Sequence, residues 1–369
     1  MAKILILSSF PAPYRVEVFK GIARKYDTDV FFATDKDQDR SKDFFVKKCE
    51  FNYYVLSEMK AEKKFLQCIK NLKEYDLVLA YDWYLKYALK VEWKCILNRI
   101  PYVINCDGAF IDNDRNIKTK IKDIIKSFFI KNAAACFSSG KFATEYFQHY
   151  GAKRENIVEH PFSSLKTEEI RKTPLKQLEK DNLKRELNLP EEKCVVTVGQ
   201  FIYRKGFDVL LNAWKNLDDK YQLVIIGGGT LESEYRKIIK EYGLKHIMLI
   251  DFIPKEQILK YLAVAEVFVL PTREDIWGLV INEALAVGTP VITTNKCIAG
   301  MELLKNNDCG YIVQVDDVKE LEQKMEKILA MDDDQRWRLG INAVHTIRPY
   351  TIETIVSQHY KAIEKILTS

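Results

Sequence analysis

The stretch Pro271-Thr-Arg-Glu-Asp275-Ile-Trp-Gly278-Leu-Val-Ile-Asn-Glu283-Ala-Leu-Ala-Val-Gly288-Thr-Pro290 decides how this chain is read. From Gly278 to Gly288 every side chain is apolar or absent except Asn282 and Glu283. The pattern predicts a helix that is apolar all round, and such a helix belongs inside a protein. An ionised carboxylate is costly there unless it is hydrogen-bonded. Glu283 therefore needs a partner, and the hydroxyl groups of a ligand would serve. Asp275 lies upstream, in the loop before the helix start, beside backbone N–H groups that have no intrahelical acceptor. Such a terminus attracts phosphate. At about 1.5 Å of rise per residue, Glu283 lies roughly 7 Å deeper than Gly278. One end would hold a phosphate while Glu283 reaches a sugar attached to it.

Around this stretch, short β-branched runs alternate with amphipathic helices, the signature of parallel α/β architecture. Strands are predicted at 3–7, 28–33, 77–80, 102–105 and 135–138, and again at 195–199, 222–226, 247–249, 267–270, 291–294 and 311–313. Each set makes a doubly wound sheet with helices on both faces. The expected fold is α/β, with two Rossmann-like doubly wound parallel-sheet domains facing a cleft. Residues 1–165 make the first domain and 191–349 the second. Residues 166–190, rich in Lys, Glu and Leu, are a linker with a helix over 181–189. A terminal helix within 350–369, apolar at helical spacing over 352–366, is expected to pack back on the first domain.

A chain of 369 residues has room for two cores. Its 47% hydrophobic and 30% charged residues are those of a soluble globular protein. No apolar run approaches the ~18 residues that span a membrane, and the first ten residues read as a β-strand and not as a signal peptide. Eight cysteines occur without Cys-x-x-Cys spacing and mostly inside apolar segments, which reads as buried reduced thiols in a cytoplasmic protein. The five histidines show no metal-ligand spacing.

The net charge of +5 is uneven. Residues 1–165 hold 28 Lys and Arg against 21 Asp and Glu, whereas residues 166–369 hold 29 against 31. A basic first half suits an anionic partner such as a membrane surface, nucleic acid or phosphorylated lipid, or is plain solvated charge. Within it, Ile117, Ile121, Ile124, Ile125 and Phe128 share one helical face, with Lys118, Lys120, Lys122 and Lys126 elsewhere. Such a helix either lies in a membrane interface or packs on the core with its lysines solvated. The basic first half favours peripheral contact with an anionic cytoplasmic leaflet.

Two further segments carry chemistry. In Val195-Val-Thr-Val-Gly199-Gln200-Phe-Ile-Tyr-Arg204-Lys205-Gly206 a buried strand ends at a loop with two cations, followed by a helix. Ligands of such sheets bind at the carboxyl ends of the strands, and two cations beside a helix N-terminus would hold a diphosphate. The plainer reading is an exposed basic turn. In Leu223-Val-Ile-Ile-Gly227-Gly228-Gly229 a strand again meets glycines, but the third glycine of a dinucleotide fingerprint is missing.

Taken together, Gly199-Gln200-x4-Lys205-Gly206, Gly227-Gly228-Gly229 and Asp275-x7-Glu283 with Ala284-x-Ala286-x-Gly288-x-Pro290-Val291 closely resemble the C-terminal domain of the GT-B retaining glycosyltransferases of family 4, the glycosyl transferases group 1. The resemblance spans roughly residues 190–330. It implies that Arg204 and Lys205 hold the donor's diphosphate, that Glu283 binds the ribose hydroxyls of the nucleotide, and that Asp275 approaches the transferred sugar. It further implies that backbone amides of Trp277, Gly278, Leu279 and Val280 touch phosphate and sugar, with Gln200 and Gly228 also on the donor side. The base would lie near Phe252 and Ile253. Three positions depart from the family's pattern: Asp275 stands for the usual Glu, Ile276 for a common Gly, and Gln200 for a frequent Arg.

On the acceptor side the resemblance is weaker. The loop Ser8-Ser9-Phe10-Pro11-Ala12-Pro13-Tyr14-Arg15 follows the first strand. Arg15 reads either as touching acceptor or diphosphate or as an ordinary surface arginine. Asp107, after the strand at 102–105, is the candidate for orienting the acceptor hydroxyl, or the start of a plain Asp-Gly turn. The implied activity is retaining, hexosyl-type transfer from a UDP- or GDP-sugar to a lipid-linked or oligosaccharide acceptor in polysaccharide or glycolipid biosynthesis. Neither an Asp-x-Asp motif nor a histidine cluster supplies obvious metal ligands, so no metal or other cofactor is expected, nor a nucleic-acid partner. An epimerase or phosphorylase on the same scaffold, a non-catalytic partner subunit and an NAD-dependent oxidoreductase are the alternatives.

Overall fold

Strand β1 (Lys3–Ser8) shows how the first core is laid down. Side chains alternate across a strand; Ile4 and Ile6 join one apolar cluster while Leu5 and Leu7 join another on the opposite face. All four are fully buried, because a parallel sheet is covered on both faces. In the computed structural model, which describes residues 1–35, 45–111, 117–217 and 219–368 and leaves out the side chains of Ile117 and Lys118, this strand is central. With β2 (Asp27–Phe32), β3 (Tyr53–Val55), β4 (Leu77–Ala80), β5 (Tyr102–Cys106), β6 (Ala135–Ser138) and β7 (Ile157–Glu159) it forms a sheet in the order β3-β2-β1-β4-β5-β6-β7. Every pairing is parallel.

The second sheet contains β8 (Lys193–Val198), β9 (Tyr221–Ile226), β10 (Ile247–Ile250), β11 (Val267–Leu270), β12 (Val291–Thr294) and β13 (Gly310–Val313). Its order is β10-β9-β8-β11-β12-β13, again parallel throughout. The order reverses direction at β8 and β11, so the carboxyl ends of these two strands flank a switch point, where ligands of open α/β sheets bind. Two compact units result: Met1–Ser163 together with Thr351–Ser369, and Ser164–Tyr350.

The two strands not predicted from sequence, β3 and β7, are three-residue edge strands, too short to show a period. The helix expected over 181–189 runs instead from Gln177 to Glu186. It starts early because the Glu179 carboxylate accepts from Lys176 N at 2.8 Å. It stops before Leu189 because Asn188 adopts a left-handed φ of 53°. In the first unit the last helix, Ile352–Leu367, packs on Pro13–Ala23. Gly21 makes that approach feasible: a Cβ there would lie 2.4 Å from Val356 Cγ2. Tyr360 OH donates to Gly21 O at 2.6 Å.

Candidate functional site

The turn after β8 is built around Gly206. Its φ of 67° suits glycine, and a Cβ would fall 2.1 Å from Pro271 O. This close approach seats the 203–206 turn against the segment leaving β11. Arg273 N donates to Arg204 O at 2.8 Å, and Thr272 Oγ1 to the same carbonyl at 2.9 Å. The Arg273 guanidinium grips both Asp208 oxygens at 2.9 and 2.6 Å and lies 3.9 Å from the Tyr203 ring centroid. Arg273 was not singled out in sequence; it fixes the turn that carries the two cations.

So held, Lys205 Nζ donates to Asp275 Oδ2 at 2.6 Å. Arg204 lies 3.8 Å from Asp275 Oδ1 and donates to Glu274 O at 2.8 Å. Asp275 is buried, with its backbone bridged to Cys297. The plain exposed turn is thereby half corrected: Arg204 is exposed, but the Lys205 side chain is 13% exposed and ion-paired. Ile276, next in the loop, is exposed.

The helix Leu279–Ala286 begins at Gly278, whose φ of 96° and tight space (a Cβ would meet Cys297 Sγ at 2.9 Å) require glycine. Ile281, Asn282, Ala284, Leu285 and Ala286 are buried, and Asn282 Oδ1 accepts from Trp277 Nε1 at 3.0 Å. Leu279, Val280 and Glu283 are only half-buried. The expectation of a helix buried all round is thus corrected: one strip, at i, i+1 and i+4, stays open, and Glu283 lies on it. Glu283 also has a protein partner, since Ser164 Oγ donates to Oε1 at 3.0 Å. Burial raises its pKa, opposed by the Lys255 charge and the Ser164 hydroxyl and assisted by Glu169. Lys255 in turn donates to Ser164 O at 2.7 Å and pairs with Glu169 at 2.7 Å.

The glycine turn after β9 closes the other side. A Cβ on Gly227 would lie 1.9 Å from Gly199 O, and one on Gly228 3.0 Å from the Phe252 ring. The Lys205 stem runs beside Gly199, 3.7 Å from the same test position. Phe252 is half-exposed; Ile253 and Gln200 are half-buried. The structure therefore joins Arg204, Lys205 and Asp275 directly and sets Gly228 against Phe252. Glu283 belongs to a separate network with Ser164, Lys255 and Glu169.

In the first unit Arg15 is buried, which overturns its reading as a surface residue. Its guanidinium pairs with Asp107 Oδ2 and lies 4.5 Å from the Tyr81 ring centroid. Asn105 Nδ2 donates to Asp107 Oδ1 at 2.7 Å, and His160 Nε2 lies 3.1 Å from Asn105 Oδ1. Burial raises the Asp107 pKa against the pull of Arg15. Burial also pushes His160 down to about 4. His160 and His359, with ring centroids 4.9 Å apart, were missed in sequence because nothing local links residues so distant in the chain.

Residues 179–345 match the family described as Glycosyl transferases group 1. The second unit carries a glycosyl transferases group 1 domain. Across 77% of its length the chain is 23% identical to a D-inositol 3-phosphate glycosyltransferase of Corynebacterium aurimucosum, covering 70% of that protein. Over 38% of its length it is 28% identical to the N-acetylgalactosamine-N,N'-diacetylbacillosaminyl-diphospho-undecaprenol 4-alpha-N-acetylgalactosaminyltransferase of Campylobacter jejuni, covering 39% of that protein. It spans 40%, 64% and 47% of three further curated relatives, all uncharacterised glycosyltransferases. Among solved structures, Anabaena HepE in complex with UDP-glucose superposes with a TM-score of 0.76 at 16% identity, over 99% of this chain and 100% of that one. At this identity the likeness shows the fold, which is GT-B. The matched region contains Gln200, Arg204, Lys205, Gly228, Phe252, Ile253, Asp275 and Glu283.

Proposed function

We propose that this protein is a retaining, family 4 glycosyltransferase that moves a hexosyl group from a UDP- or GDP-sugar to a hydroxyl of a lipid-linked or oligosaccharide acceptor, at the cytoplasmic face of a membrane and without a metal ion. The observation that carries the reading is the Lys205–Asp275 pair, with Arg204 beside it, at the foot of the helix that presents Glu283 on its open strip. All four lie inside the glycosyl transferases group 1 domain. The UDP-glucose bound by the Anabaena neighbour supports a nucleotide-sugar donor, and the diphospho-undecaprenol in the Campylobacter relative's name supports a lipid-linked acceptor.

In this reading the bond from the sugar's anomeric carbon to the diphosphate breaks through an oxocarbenium-like transition state. Negative charge grows on the departing diphosphate. Arg204, Lys205 and the N–H groups opening the helix Leu279–Ala286 stabilise it; losing one such donor typically costs about a hundred- to a thousandfold in kcat. Glu283 receives ribose hydroxyls, Phe252 and Ile253 flank the base, and Asp275 turns from Lys205 toward the sugar. Asp107, held by Arg15 and Asn105, orients the acceptor hydroxyl, whose oxygen bonds the anomeric carbon on the face the diphosphate leaves while its proton passes to the departing diphosphate.

The test is nucleoside-diphosphate release from a panel of UDP-, GDP- and ADP-sugars with membrane extract as acceptor, with and without EDTA, followed by the anomeric configuration of the product. The expected result is release from one donor, unchanged by EDTA, with retained configuration. Activity that vanishes on chelation, or an inverted product, overturns the mechanism; no release from any donor overturns the activity.

A further inference from the structure

We propose that the helices Lys86–Asn98 and Ile117–Asn132 together form the surface by which this protein docks on an anionic lipid bilayer. This deepens the membrane placement proposed above by naming the surface that makes it. A helix on a globular unit normally turns its apolar strip to the core. Here Phe129 and Ile130 face the core, whereas Ile121, Ile124, Ile125 and Phe128 are exposed, Ile124 at 70%. Phe129 and Ile130 thus anchor the helix to the core, while the apolar strip read from the sequence stays outside it.

The patch does not end with that helix. Trp93 and Leu97 of the neighbouring helix are exposed as well, and the Trp93 ring lies 5.6 Å from that of Phe128. Lys86 and Lys90 continue the Trp93–Leu97 stripe at helical spacing, and Lys120, Lys122 and Lys131 are exposed on the second helix. The two helices contain only two acids, Glu92 and Asp123. Glu92 is fully buried, without a hydrogen-bond partner among the described residues, and burial raises its pKa well above the usual range. Asp123 accepts from Tyr150 OH at 2.9 Å and lies 4.0 Å from Lys126. Neither acid offsets the lysines on the exposed face.

An apolar centre with a tryptophan and a lysine rim matches the two halves of a bilayer interface. Apolar side chains enter the acyl boundary, tryptophan sits at headgroup depth, and lysines reach anionic headgroups. No helix among the described residues is long and apolar enough to cross a membrane, so the contact is one of lying on the surface.

The experiment is flotation of the full chain with vesicles of phosphatidylcholine alone and of phosphatidylcholine mixed with phosphatidylglycerol. Beside the parent run Ile124→Ser with Leu97→Ser, and Lys120→Gln with Lys122→Gln. Partition onto the anionic vesicles should exceed that onto neutral ones and fall as salt rises. Each lysine removed should weaken it about fivefold, and the serine variant should weaken it at both salt levels. All of these sites are exposed, so the variants keep the fold, and their nucleoside-diphosphate binding should match the parent's. That readout separates failure of the docking surface from failure of the transferase reading. Equal partition on both vesicle types, no partition, or variants that bind like the parent would overturn the proposal. So would a dimer that Ile124→Ser dissociates, which would assign the patch to a second copy of the chain.

Discussion

Lys205 and Asp275 already satisfy each other, with side chains 13% and 10% exposed. In the proposed reading, a diphosphate arriving at Lys205 meets a cation held in place and partly desolvated, where its charge counts for more than in water. Glu283 shows the opposite economy. Its raised pKa means that the folded state holds the proton more tightly than the unfolded chain does. Stability is therefore undiminished below the ordinary carboxylate pKa and is lost as pH rises through the folded value. Glu283→Gln should melt higher than the parent at pH 8, with the two curves converging toward pH 4. The same substitution should weaken nucleotide binding roughly ten- to hundredfold, the worth of a hydrogen bond to a charged group. Thermal melts across pH with a parallel titration check both. At this scale the turn carrying Lys205 and the helix carrying Glu283 were legible as elements, whereas the Lys205–Asp275 contact, between residues 70 positions apart, was not. Ser164 was not, because it meets Glu283 from 119 positions away.

At the scale of elements, the buried strands and the helix after Gly278 were readable because parallel strands covered on both faces leave continuous apolar runs. Edge strands β3 and β7 left none. The outward face of Ile117–Asn132 could not be read either, since an apolar strip looks the same in sequence whether it meets a core or a solvent-facing partner. The glycine turns carry the most specific demand. Gly206 and Gly243 share a left-handed φ, 67° and 59°, but a Cβ on Gly206 strikes Pro271 O whereas Gly243 has nothing within 4 Å. Gly243→Ala should cost about 1 kcal/mol, the conformational penalty alone. Gly206→Ala should cost about 2–4 kcal/mol and lower nucleotide affinity too, because the displaced turn carries Lys205. Denaturant titration of both variants checks the contrast; equal costs would mean that the close approach to Pro271 is unimportant.

On the scale of the whole molecule, two parallel sheets with a switch point at β8 and β11 provide the frame, and the chemistry lives in the loops leaving it. In the first unit Arg15, Asn105 and His160 are buried and Asp107 partly so, and the fold brings His359, from the last helix, ring to ring with His160. Arg204 and Lys205 follow β8, Asp275 and Glu283 follow β11, and the central claim is that these residues hold a nucleoside diphosphate. The most direct measurement is calorimetric titration of UDP, GDP and ADP into the parent protein, Lys205→Ala and Glu283→Gln, with EDTA present. The account predicts that one nucleoside diphosphate binds the parent and that each variant weakens it at least about tenfold. Binding of none of the three, or equal binding by all three proteins, would contradict it.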